Sequence, residues 1–361
     1  FASKGAAGMK KIVVLATGGT IAGASASAAD GVAYRAGEVP VGALLEQVPG
    51  LQQLLGDCAL AAEQVAQVNS KDMDYALWQR LALRCTHWLA QDDVQGLVIT
   101  HGTDTLEETA WFLQRMLDVA ASAGVLRAEQ ARKPVVLSSA MRPSTARLSD
   151  GPQNLADAVS VLLDSRASGV LAVAAGHVHA ACDVHKVQPY RVDAFSSGDA
   201  GVLAHVEEGA VRWLRDPAAR VGEADDLATA APAQALWTAV QDEETQWPWV
   251  EILVSHAGND GRSLRACQQA GVQGVVLAGS GNATLHEQVE QAACTLMQQG
   301  VPVWRSSRCL EGRAVPGAES PVPLAVCRGQ VLRPVQARTE MVLQLLAGVL
   351  PAEAATAKTS A

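Results

Sequence analysis

The sequence predicts an α/β protein: a large N-terminal, mostly parallel sheet flanked by helices, followed by a smaller C-terminal α/β domain. Three observations carry this reading. Four runs in the first half, "KIVVLA" (11–16), "GLVIT" (96–100), "PVVLSS" (134–139) and "GVLAVAA" (169–175), are apolar without polar alternation. Strands of that kind are buried on both faces, as in a parallel sheet covered by helices. Between them, stretches 74–90, 106–121 and 152–165 carry apolar residues at helical spacing. The length, 361 residues, exceeds one ordinary core and suits two domains.

Taken in order, each apolar run enters a polar or glycine-rich turn. "KIVVLA" enters "TGGTIAG", "GLVIT" enters "HGTDT", "PVVLSS" enters "AMRPSTARLSDGP", and "GVLAVAA" enters "GHVHAACDVHK". After Trp213 the pattern lapses: 215–248 is acidic, rich in Ala and Pro and weakly periodic, and reads as an interdomain connection. It resumes on a smaller scale with "WVEILVS" (249–255), "GVVLAGS" (274–280) and "VPVWRSS" (301–307), and a helix near 339–349 closes the chain. The expected boundaries are therefore 9–214, a connection over 215–248, a second domain over 249–350 and a frayed tail over 351–361.

Composition narrows the function classes. A formal charge of −9 without a long basic run argues against nucleic acid and anionic membrane as partners. Hydrophobic residues at 49% and charged residues at 18% suit large cores rather than disorder. Seven cysteines, an odd number without a C-x-x-C, fit reduced thiols and a cytoplasmic location. Residues 1–8 read as an appended segment ahead of a native start at Met9, and a periplasmic location is the alternative if a leader has been removed.

In an open parallel sheet the carboxyl ends of the strands share one edge, and ligands bind there. The polar turns, far apart in sequence, should therefore converge. Thr105-Leu106-Glu107-Glu108 matches a capping box, with Thr105 as the accepting cap. That leaves Thr103 and Asp104 outside the helix and free for chemistry. "TGGTIAG" is not a nucleotide fingerprint; it offers the hydroxyl of Thr20 on a turn whose glycines permit close approach. The small, polar stretch 23–34 reads as a mobile lid ending in Tyr34. The histidines of "HVHAACDVHK" match no defensible zinc spacing, so no metal and no cofactor is expected. Lys186, near a strand end, is a candidate base.

Taken together, "ATGGTIAG" (16–23), "HGTDTLEETA" (101–110), "AMRPSTARLSDGPQNLADAV" (140–159), "DVHK" (183–186) with "DAFSSG" (193–198), and "RSSR" (305–308) resemble the bacterial L-asparaginases, over about 10–349. The resemblance implies an amidohydrolase acting on L-asparagine to give L-aspartate, usually a homotetramer of intimate dimers. It implies Thr20 as nucleophile and Tyr34 as the lid tyrosine that assists it. Thr103, Asp104 and Lys186 fall on the second polar triad, with Asp104 also meeting the substrate ammonium. Ser70, in "NSKDM", falls on the serine that binds the α-carboxylate, and Ala140 on the alanine whose carbonyl meets the scissile amide. Glu319 falls where a neighbouring subunit contributes an acidic residue. The sequence departs from the family pattern at His185, where a threonine often precedes the lysine, and at Lys71, where glutamine is frequent. A charge beside Ser70 bears on the choice between asparagine and glutamine. Asn259, in "SHAGNDG", is a candidate for entering the partner's site.

A threonine hydroxyl is a weak nucleophile and needs a neighbour to activate it. The residues suggest a double displacement: Thr20 attacks the side-chain amide, ammonia leaves, and water hydrolyses the β-aspartyl ester. The rivals are a glutaminase-asparaginase of broad specificity, an amidase subunit acting on a larger aminoacyl substrate, a non-catalytic amino-acid-binding protein and a nucleotide-binding α/β protein. Lack of a basic RNA-binding segment counts against the amidase subunit, and two threonines with a lysine exceed what simple binding requires.

Overall fold

The computed structural model describes residues 9–25, 34–35, 38–218, 225–317 and 319–351. The chain divides into two compact units, Phe1–Arg220 and Val221–Ala361.

In the first unit the four apolar runs form the strands Lys11–Gly18, Val94–Thr100, Val135–Ser138 and Val170–Ala174, with nearly every residue buried. They pair in parallel, and a fifth parallel strand, Ala59–Val68, lines the outer side of Lys11–Gly18. That strand was not expected. Its sequence, "ALAAEQVAQV", is half-buried, as suits a sheet margin, and so lacks a continuous apolar run. At the other margin the sheet turns antiparallel through His177–Ala180, Ala204–Glu207 and Ala210–Trp213, giving eight strands. The large sheet is thus mostly parallel, as the sequence predicts, with an antiparallel extension that the apolar runs did not reveal.

Helices Tyr75–Leu89, Leu106–Ser122 and Gly151–Leu163 occupy the three periodic stretches. Gly151–Leu163 covers one face, where Val98, Val136, Leu155, Val159, Leu171 and Val178 share a core. Register matters more for the site. Ala16 pairs with Thr100, Thr100 with Ser138 and Ser138 with Val173, so these strand ends form one row. The turns after Ala16, Thr100 and Ser138 therefore leave the sheet along one edge.

The second unit holds a three-stranded parallel sheet, Val250–Val254, Gly274–Gly279 and Val303–Ser307. Helices Arg262–Gln269, Glu287–Gln298 and Pro334–Leu346 accompany it. Residues 215–248, read as a connection, contain the helix Ala230–Gln241, which buries Ala233, Leu236, Trp237 and Val240. Those four residues follow helical spacing, but the alanines around them blur the contrast with the polar face. Residues 352–361 of the expected tail lie outside the described residues. No helix among the described residues is long and apolar enough to cross a membrane.

Candidate active site

The "TGGT" and "HGTD" turns meet backbone to backbone. Gly19 has φ 80°, and a Cβ placed on it would lie 2.3 Å from the Gly102 nitrogen and 2.5 Å from the Gly102 Cα. Only glycine fits that conformation and that contact without strain. Gly102 in turn leaves no room for a side chain, because a Cβ there would lie 2.4 Å from Ser70 Oγ. Three segments separated by tens of residues are thereby packed into one small region.

Thr20 opens a short 3₁₀ turn, Thr20–Ala22, and is 7% exposed. Ile21 and Ala22 pack against Ala140 and Leu44, which brings the "AMRPS" loop alongside. That loop is fixed from within: Asp150 accepts from the Met141 amide at 3.0 Å and the Arg142 amide at 2.9 Å. Ser144 anchors it to the first turn, donating from both amide and hydroxyl to Gly23 O.

Around the second threonine, Lys186 Nζ donates to Thr103 Oγ1 at 2.8 Å and to Asp104 Oδ1 at 2.7 Å. Lys186 is mostly covered, its side chain 17% exposed, whereas that of Asp104 is 51% exposed. The lysine reaches this position from a two-residue ladder in which Lys186 pairs with Phe195. Ser70, which is buried, accepts from the Asp104 amide at 3.2 Å through Oγ. Its carbonyl accepts from Thr105 Oγ1 at 2.8 Å. This corrects the capping reading: Thr105 is the N-cap residue, but its side chain makes no cap hydrogen bond to the helix. The hydroxyl ties the helix start to Ser70 instead.

A buried relay that sequence reasoning missed fixes the Gly102 turn from below. Trp78 Nε1 donates to Thr109 Oγ1 at 3.0 Å, Thr109 lies 2.9 Å from His101 Nε2, and His101 Nδ1 lies 2.7 Å from Gly102 O. Indole only donates and a carbonyl only accepts. Thr109 must therefore donate to Nε2, and Nδ1–H donates to Gly102 O. Burial holds the His101 imidazole well below the usual histidine range, at about 4, against the opposing pull of the Gly102 carbonyl. The neutral ring thus acts as a fixed spacer. His101 sits inside the quoted motif, but only the tertiary fold supplies Trp78 and Thr109.

The remaining candidates are placed as follows. Tyr34 has its backbone paired with Ser25 in a short ladder; its side chain and most of the lid stretch lie outside the described residues. Lys71 is exposed and ion-paired to Asp72 at 2.7 Å, next to Ser70. His185 is buried, with Nδ1 3.0 Å from Asp183 O, and Asp183 is bound by Arg215 at 2.9 Å. Glu319 is exposed and lies in the second unit. Asn259 bonds its own turn, to Val254 O and from the Gly261 amide. Among the described residues, Asp225, Cys327 and Glu340 bring three possible metal-ligand atoms within 4.8 Å of one another. Arg328 binds Asp225 at 2.6 Å, so an ion pair already accounts for that carboxylate.

Comparison with known proteins agrees with this construction. The family model for the N-terminal asparaginase domain matches residues 11–219, and that for the glutaminase/asparaginase C-terminal domain matches 249–357. L-asparaginase 2 of Bacillus subtilis is 33% identical over 320 residues, which cover 86% of this chain and 76% of that protein. A glutaminase-asparaginase of Pseudomonas fluorescens is 35% identical over 308 residues, covering 84% and 77%. The crystal structure of a probable cytoplasmic L-asparaginase from Campylobacter jejuni superposes with a TM-score of 0.77 at 32% identity, covering 93% of this chain and 95% of the other. With both domain models matched in order and the two threonine turns joined in one site, this chain belongs to the asparaginase family.

Proposed function

We propose that this protein is an L-asparaginase, hydrolysing L-asparagine to L-aspartate and ammonia through a covalent intermediate on Thr20. The observation that carries the reading is the junction of Gly19 with Gly102, which sets the Thr20 turn beside the Thr103–Asp104–Lys186 cluster. In the first half-reaction Thr20 Oγ bonds to the side-chain carbonyl carbon, the carbon–nitrogen bond breaks, and the hydroxyl proton passes to the departing amine. In the second, water adds to the ester carbonyl, the bond to Thr20 Oγ breaks, and a proton returns to that oxygen. Thr103 and Lys186 serve proton movement, and Tyr34 assists Thr20 from the lid. The half-exposed Asp104 carboxylate meets the substrate ammonium, Ser70 the α-carboxylate, and the Ala140 carbonyl the amide nitrogen.

We further propose a homotetramer of intimate dimers in which Glu319 completes the neighbouring subunit's site. Mixing inactive Thr20→Ala and Glu319→Gln protomers then restores activity through hybrid sites; failure to do so in verified hybrids rejects the sharing. Seven cysteines, an odd number without a C-x-x-C, favour a reducing, cytoplasmic location.

A second reading, broad glutaminase-asparaginase activity, draws on two observations: relatives of that name are as similar as the asparaginases, and Lys71 places a cation beside Ser70. Ammonia release from asparagine and glutamine at matched concentration separates the two. A clear preference for asparagine supports the first reading, comparable rates support the second, and release from neither rejects both.

A further inference from the structure

The antiparallel margin of the first unit carries a histidine pair that the amide chemistry does not use. His205 is the register partner of His177 across the strands Ala204–Glu207 and His177–Ala180. The Val206 amide donates to Gly176 O at 2.8 Å, a bond that flanks this pair instead of joining it. The two histidines therefore form a non-hydrogen-bonded pair, the arrangement that brings side chains of an antiparallel ladder closest together. Their rings lie 5.0 Å apart between centroids and are inclined by 63°.

Strand alternation fixes the direction in which they point. Val178, Ala204 and Val206 belong to the core shared with helix Gly151–Leu163, so His177 and His205 project together from the opposite face. Both are half-buried and keep access to solvent. His179 shares their face but is buried, and its Nδ1 is engaged by Ser197 Oγ at 2.8 Å. The carboxylate of Asp193, itself ion-paired to Arg191, acts on His177 electrostatically.

We propose that His177 and His205 form a two-imidazole site for a divalent transition-metal ion of the zinc, nickel or copper class, with water completing the coordination. Imidazole is the ligand those ions share, and two rings held by one ladder are oriented before the ion arrives. The bound ion ties the two strands together across the ladder. It takes no part in amide hydrolysis.

The test is calorimetric titration of Ni²⁺ into the metal-free full-length chain near neutral pH. One ion binds per chain, and His177→Gln or His205→Gln each weakens binding by about tenfold or more. His87→Gln and Cys309→Ser bind as the parent does. Retained asparagine hydrolysis shows that the variants are folded. As a second readout, saturating Ni²⁺ raises the unfolding midpoint of the parent through linkage to the folded state, and that rise disappears in His205→Asn. The proposal is overturned by absence of stoichiometric binding in the parent, by unchanged binding in both glutamine variants, or by binding that is lost with Cys309.

Discussion

Gly19 and Gly102, 83 positions apart in the chain, touch through their backbones, and neither has space for a Cβ. The contact fixes the distance between two threonine turns that issue from adjacent parallel strands. Gly102→Ala should drive a methyl group into Ser70 Oγ and push the turns apart. The expected result is a fall in kcat/KM of about a hundredfold, equivalent to roughly 2.7 kcal/mol, with secondary structure retained. Steady-state kinetics and circular dichroism check this; full activity would show that the contact does not set the geometry of the site.

Lys186 joins Thr103 and Asp104 through bonds of 2.8 and 2.7 Å. Lys186→Met should lower kcat by about 10²–10⁴-fold, the range of a lost proton-transfer group. Asp104→Asn should instead raise KM strongly, because it removes the partner of the substrate ammonium. The same pattern of kcat and KM in both variants would contradict the division of roles.

Thr105 serves the site rather than the helix. Thr105→Val breaks its bond to the Ser70 carbonyl while making little difference to a cap its side chain does not form. The expected outcome is a KM raised about tenfold, some 1.4 kcal/mol, with helix stability nearly unchanged. A large loss of thermal stability without a change in KM would restore the capping role.

His101 should give the fold a measurable pH dependence. Its folded-state value of about 4 lies below the ordinary histidine value, so the unfolded chain takes up a proton that the folded chain refuses. This contribution is fully present above about pH 6.5, falls as pH drops toward 4, and is constant below. Between pH 7 and pH 5 it removes about 2 kcal/mol. Urea unfolding of the parent and of His101→Gln at both pH values measures it: the variant should lose that part of the slope. An identical slope would mean that His101 titrates normally.

The principal strands of the parallel sheet were legible because double burial leaves an unbroken apolar run, as in "GLVIT". The convergence of the polar turns was legible because parallel strands share a polarity. The strand Ala59–Val68 was not, since at a sheet margin Glu63, Gln64 and Gln67 need no burial and interrupt the apolar run. The helix Ala230–Gln241 carried a readable period at Ala233, Leu236, Trp237 and Val240, obscured by alanines that suit either face. The relay from Trp78 through Thr109 to His101 joins two helices and a turn and has no local signature. Thr105 illustrates the opposite difficulty: a correct local motif yielded to a tertiary partner 35 positions away.

The most direct test is intact-mass and peptide mapping after rapid acid quench of the enzyme with asparagine. The expected result is an added β-aspartyl group on the peptide carrying Thr20, and neither adduct nor ammonia from Thr20→Ala. A Thr20→Ala enzyme that still turns over asparagine, or an adduct mapped to Thr103 instead, would contradict it.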